Sequence, residues 1–246
     1  MWDPAQYLAF ADHRARPFYE LLARVRADSP RRVVDVGCGP GNLTVSLRER
    51  WPGAAIEAFD SSAEMVEAAR EAGVDARVGD VTTWEPPADT DVVVSNAVLQ
   101  WVPEHPSIVR RWVSRLPGGA WLAFQVPGNY GDPSHRLIRE VAGERLAHVF
   151  RAEKPVLHPV EYAELLAGCS SVDVWETTYV QRLSGPDPVL EWVSGTALRP
   201  VRAALSSADW DAYVAELAPR LREAYPERAD GTTWFPFRRI FVVAQV

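Results

Sequence analysis

Runs of β-branched and apolar residues recur along the first half of the chain, alternating with stretches of helical spacing. The runs are RRVVDVGCG, AAIEAFD, DARVGD, DVVVSN and GGAWLAFQVP. ARPFYELLARV precedes them, and GNLTVSLRERW, SAEMVEAAREAG and PSIVRRWVSRL fall between them, with apolar residues every three to four positions. Pro52 stops the first of these inner helices and Gly73 suits the C-terminal cap of the second. A strand that returns parallel to its neighbour needs a crossover, usually a helix, so this alternation restricts the chain to an α/β fold with a parallel sheet.

Beyond Pro127 the rhythm changes. PSHRLIREVAGERLAHVF and HPVEYAELLAGC read as helices and VDVWETTYVQRL alternates like a strand. DPVLEWVSGTAL and SADWDAYVAELAPRLREAY are helical again, and FRRIFVVAQV closes the chain as a strand. The whole, 1–246, reads as one domain with an N-terminal helical segment at 1–30 and a helical insert at 186–234. An insert before the final strand is placed to act as a lid over the sheet's carboxyl edge. Trp192, Trp210 and Trp234 are expected to pack it.

Acidic residues number 33 against 26 basic ones, a net charge of -7, which argues against a broad nucleic-acid surface. Lys154 is the only lysine, so arginine is the default cation and one Arg alone carries little weight. Cys38 and Cys169 lie far apart and make neither a zinc motif nor a disulfide framework. His13, His105, His135, His148 and His158 show no metal spacing and read as surface or capping residues, so no metal is expected. There is no apolar run of about 20 residues and no basic, apolar leader. The expectation is a cytoplasmic protein, monomeric or weakly dimeric, with neither nucleic acid nor membrane as partner.

The glycine turn after the first strand, VVDVGCGPGNLT, carries the chemistry. Gly37, Gly39 and Gly41 let backbone approach a ligand at a helix N-terminus. The dinucleotide pattern G-x-G-x-x-G would put its third glycine where Asn42 stands. Asp35 ends the first strand, and a carboxylate there opposes a pyrophosphate but welcomes a cofactor bearing a sulfonium and an ammonium. The turn therefore suits S-adenosylmethionine better than a nicotinamide dinucleotide, although an NAD-dependent oxidoreductase uses the same kind of sheet. Asp60, at the end of the second strand, stands where an acid bonds ribose hydroxyls, or it caps the following helix. Asp80 is read as ending the third strand beside Val81, an acceptor and a backbone donor for an adenine edge. Asn96 ends the fourth. Cys38 reads as a small packing residue beneath the cofactor.

In these motifs the chain resembles the class I S-adenosylmethionine-dependent methyltransferases over residues 31–127. That resemblance implies a Rossmann-like, doubly wound, seven-stranded sheet whose last strand is antiparallel. It implies cofactor contacts from Asp35, Gly37, Cys38, Gly39, Gly41, Asn42, Asp60, Ser61, Met65, Asp80, Val81, Asn96, Ala97 and Trp101. WDPAQYLAFADHRARPFYELLARV, SNAVLQWVPEH, FQVPGNYGDPSH, EWVSGTALRP and RRIFVVA resemble the trans-aconitate 2-methyltransferase family across almost the whole chain, with Ala197 where a glycine is expected. The implied reaction is methyl esterification of a small polycarboxylate, leaving S-adenosylhomocysteine. A related enzyme would use another small acid, and a module that binds the cofactor without turnover is the third reading. A carboxylate is ionised at neutral pH, so positioning suffices and no catalytic base is expected. Carboxylates call for Arg forks. Arg199 and Arg239 are the candidates, with Arg16 on an N-terminal segment placed to close over the cofactor. Tyr7, Gln100, Gln125 and Tyr179 are candidate polar contacts to the acid.

Overall fold

The structure is a computed structural model that describes residues 11–150 and 156–246. Helix α1 (Ala11–Leu22) leads into β1 (Arg32–Val36), α2 (Val45–Arg50), β2 (Ala55–Asp60), α3 (Ala63–Glu71), β3 (Ala76–Val78) and β4 (Val92–Asn96). A 3-10 turn (Leu99–Trp101), α4 (His105–Arg115), β5 (Trp121–Pro127), α5 (Pro133–Leu146), α6 (Pro159–Leu165) and β6 (Ser171–Ser184) follow. The chain ends in α7 (Pro188–Ser194), α8 (Arg199–Ala204), α9 (Ser207–Ala224) and β7 (Thr232–Gln245).

The seven strands lie in the order β3-β2-β1-β4-β5-β7-β6. Strands β1 to β5 pair in parallel. Strand β7 runs against β5: Val246 N–H donates to Ala120 O while Gly119 N–H donates to Val246 O. The chain moves outward from β1 to β3 and then crosses back to β4, so the order reverses between β1 and β4. Ligands of open α/β sheets bind at such a switch point. Val36 lies level with Phe59 and Ser95, and Asn96 with Gln125. Gly37, Asp60, Asn96 and Gln125 therefore emerge at one height on the carboxyl edge.

Two compact units divide the chain. The first holds the described residues up to Val126, with Val156–Glu176 and Ile240–Val246. Its central strands are buried on both faces, which is why β1 and β4 read as unbroken β-branched runs. Val34, Val93, Leu122, Phe124, Trp112 and Ile240 form one core, and Cys38, Ala58, Val66, Ala69 and Val74 a smaller one. The second unit holds the described residues of Pro127–Pro155 and Thr177–Arg239, and so contains the 186–234 segment. There Trp192 packs on Phe235 and Phe237 at 5.7 and 5.6 Å, and Tyr213 Oη donates to Ile138 O.

Several local expectations need correction. Strand β3 stops at Val78, so Asp80 stands beyond it in a turn. The stretch 133–150 is not one helix: Gly143 takes φ 57°, and a 3-10 turn (Ala147–Val149) follows. Arg199 opens α8, with Pro200 behind it in the first turn. Strand β7, which carries Arg239, lies between β5 and β6. Trp234 is exposed on β7 with the Arg228 guanidinium over its ring and does not pack the helical insert. His105 is buried, not superficial: Nδ1 donates to Val102 O and Nε2 accepts from Tyr162 Oη. Among the described residues no helix is long and apolar enough to cross a membrane.

Candidate active site

The three glycines of the turn are glycines for different reasons. All three have φ between 56° and 77°, where a side chain is strained. A Cβ on Gly37 would meet Val98 Cγ2 at 2.2 Å, and one on Gly41 would meet Ala69 Cβ at 2.9 Å. Gly39 differs, since a Cβ there would meet nothing within 4 Å. Gly37 and Gly41 thus admit neighbouring elements, and Gly39 leaves open space where its side chain would stand.

Asp60 ties this turn to the next helix. Its Oδ2 accepts from Gly39 N–H and its Oδ1 from Ser62 N–H, each at 2.9 Å. The cap of α3 is Ser62, whose Oγ accepts from Met65 N–H, so Asp60 is not spent as a cap. Each carboxylate oxygen retains a lone pair for a ribose hydroxyl.

Asp35 is buried beneath the turn and accepts a 2.7 Å hydrogen bond from Thr44 Oγ1. Burial pushes its carboxyl up to about 6, Thr44 pulls it down, and the charge of Asp60 adds to the rise. Two acids at the carboxyl edge favour a cationic ligand over a pyrophosphate. Cys38 is buried and its thiol is pushed up, first by burial and then by Asp35 and Asp60. It packs in the smaller core with Ala58, Val66 and Ala69.

The β4 end is equally built. Asn96 Oδ1 accepts from Gln125 Nε2 at 2.6 Å, and Ala97 N–H donates to Gln125 O at 3.0 Å. Ala97 has φ 59°, a left-handed conformation seldom taken by a non-glycine residue. Gln100 Nε2 donates to Ala97 O at 2.6 Å. A carbonyl only accepts, so the amide's orientation is fixed and Gln100 Oε1 is left as a buried acceptor with no hydrogen-bond partner. Trp101 closes the same 3-10 turn, half-buried.

Just past β3, Gly79 N–H donates to Asp60 O at 2.9 Å, and Asp80 and Val81 follow it. Asp80 is exposed, and its Oδ1 accepts from Thr82 N–H and Oγ1, which holds its carboxyl below the usual range. Val81 follows it in that turn. Ser61 and Met65 enter α3, Met65 with its side chain buried. Asn42 is an exposed residue of the turn after Gly41. Arg16 is exposed on α1 and pairs with Glu20 at 2.7 Å. Tyr7 lies outside the described residues. Tyr179, Arg199 and Arg239 belong to the second unit. There Tyr179 and Arg239 are buried, and burial holds the Arg199 guanidinium below its usual range. Sequence reasoning missed Thr44, Val98 and Asn129. Each stands within a segment already singled out, but what each touches depends on packing. Among the described residues no group of three His, Cys, Asp or Glu is placed to hold a metal.

A glycine turn after β1, an acid after β2 and this strand order define a class I S-adenosylmethionine-dependent methyltransferase. The comparisons agree. A family described as "Methyltransferase domain" matches residues 7–167. Among solved structures, YcgJ of Bacillus subtilis superimposes with TM-score 0.58 at 14% identity over 95% of this chain and 98% of that one. The phosphoethanolamine N-methyltransferase 2 of Haemonchus contortus, solved with S-adenosyl-L-methionine, gives 0.57 at 17% identity over 94% of this chain and 52% of that one. At such identities these two speak to the fold. Trans-aconitate 2-methyltransferases from Rhodococcus jostii and Mycolicibacterium gilvum are 66% and 63% identical to it, over 100% of this chain and 100% and 99% of theirs. The chain belongs to the trans-aconitate 2-methyltransferase family.

Proposed function

We propose that this enzyme transfers the methyl group of S-adenosylmethionine to a carboxylate oxygen of trans-aconitate, giving a monomethyl ester and S-adenosylhomocysteine. The observation that carries the reading is 66% identity with a trans-aconitate 2-methyltransferase across the full length of both chains. The cofactor's sulfonium supplies an electrophilic methyl group.

The residues of the first unit fit that cofactor. Gly39 leaves open space beside its Cα, Asp60 offers lone pairs to a ribose, and Asp35 sets a negative charge beneath the turn. Gln100 Oε1 is an acceptor, so it answers an ammonium and not a carboxylate. Gln100 therefore serves the amino-acid end of the cofactor rather than the acid. Arg199 and Arg239 are proposed to hold the acid's carboxylates, because a guanidinium grips carboxylate oxygens in a fork.

The attacking oxygen is ionised at neutral pH, so the chain has no proton to remove. Its work is to hold the acid at near-attack distance and to exclude water. The test is incubation with methyl-labelled S-adenosylmethionine and a panel of small acids. Labelled ester from trans-aconitate is expected, and no ester from any acid on the panel would overturn the reading.

A further inference from the structure

The second unit contains a buried amide that the sequence candidates do not include. Asn129 follows β5 by two residues, is 1% exposed, and its Nδ2 has no hydrogen-bond partner. Buried N–H groups are almost always answered, because leaving one dry and unpaired is unfavourable. An Nδ2 group donates only, so what answers it is an acceptor.

Its surroundings specify the acceptor's charge. Gly128 N–H donates to Arg238 O at 2.9 Å, and the Arg238 guanidinium returns a hydrogen bond to Gly128 O. This pins the residues after β5 beside β7. Asn129 follows directly, beside the stretch of β7 that holds Phe237 and Arg239, and strand alternation puts Phe237 and Arg239 on the face of β7 away from Arg238. The Arg239 guanidinium carbon lies 4.7 Å from the centre of the Phe237 ring, with the side chain buried. Arg238 is committed elsewhere: it serves Gly128 O and offsets the burial that raises the Asp132 carboxyl. Asn129 N–H2 and Arg239 are thus a buried neutral donor and a buried cation on adjoining segments, the donor set a carboxylate takes.

We propose that Asn129 and Arg239 form a subsite for one carboxylate of the acid, with Asn129 as a specificity residue. The proposal rests on the reading of the enzyme as a carboxylate methyltransferase. It predicts that Asn129→Leu weakens binding of trans-aconitate to the S-adenosylhomocysteine-loaded enzyme by about ten- to hundredfold. Asn129→Asp, nearly isosteric and negative, weakens it further. Titration calorimetry reads both, and S-adenosylhomocysteine affinity stays as in the parent. Itaconate, mesaconate and cis-glutaconate each lack one of the three carboxylates of trans-aconitate. Asn129→Leu leaves the binding of one of the three unchanged, and that acid lacks the group that Asn129 holds. If Asn129→Leu misfolds, the Asp variant carries the test. Unchanged trans-aconitate binding in a folded variant overturns the subsite alone. Equal losses of acid and S-adenosylhomocysteine make Asn129 structural and also overturn it. A parent enzyme that binds S-adenosylhomocysteine but no acid overturns the functional reading and the subsite with it.

Discussion

Asp60 and Gln100 show how a side chain's spare hydrogen-bonding capacity defines what it can meet. Asp60 already accepts from Gly39 N–H and Ser62 N–H, so it shapes the turn before it touches a ribose. Asp60→Ala therefore removes the turn's tether together with the ribose acceptors. S-adenosylhomocysteine affinity should fall about ten- to hundredfold, with a lower melting temperature, since hydrogen bonds to charged groups contribute about 1.5–3 kcal/mol. An affinity unchanged by calorimetry would take Asp60 out of the site. Gln100 gives a sharper test because only its oxygen is left over. Gln100→Leu should weaken S-adenosylhomocysteine about tenfold and leave methylthioadenosine, which lacks the amino-acid end, unaffected. Equal losses for both would make Gln100 a support of the turn. The glycines and Asp60 were legible in sequence, because spacing alone places them at strand ends. The polarity of Gln100 was not legible, because it depends on a bond to Ala97 O.

At the scale of elements, the β1 turn and the β4 turn are fitted against each other through Gly37 and Val98. Adding one methyl group at Gly37 drives it into Val98 and also strains a φ of 77°. Gly37→Ala should cost about 3 kcal/mol, combining the left-handed penalty with overpacking. Ala97, at φ 59°, is the reverse case. Ala97→Gly should change stability by no more than about 1 kcal/mol, in the stabilising direction, because the strain relieved exceeds the entropy lost. Thermal denaturation of the two variants checks the order, and a destabilising Ala97→Gly would show that the Ala97 methyl is needed for packing. The sequence showed G-x-G-x-G and a break at Asn96, but not that the two turns touch. Helix–strand alternation is local and readable; an approach between Gly37 and Val98 is set only when β1 and β4 become neighbours.

At the scale of the whole molecule, the parallel half was legible because period-3.6 and β-branched runs announce each element. The second unit was less so, since the segment of Asn129 is laid beside that of Arg239 only by the pairing of Gly128 with Arg238. Titration behaviour is likewise a property of the folded chain. The Asp35 carboxyl, at about 6 when folded against an ordinary 3.8, binds its proton more tightly folded than unfolded. Ionising it thus costs stability, a cost absent below about pH 4 and complete above about pH 6. Asp35→Asn should therefore stabilise the ligand-free protein above pH 6, by at most about 3 kcal/mol for a rise of roughly two units, and change little below pH 4. The same ionisation supplies the negative charge that a cationic cofactor needs. Burial holds His105 below its ordinary range and pushes His135 down to about 4, well away from neutrality. Cofactor affinity and kcat/KM should rise together through about pH 6 and stay level from pH 7 to 9, because the acid needs no base. Asp35→Asn should lower that plateau and erase the rise near pH 6. A limb near pH 7 that survives in Asp35→Asn would instead reveal a general base and overturn catalysis by positioning alone.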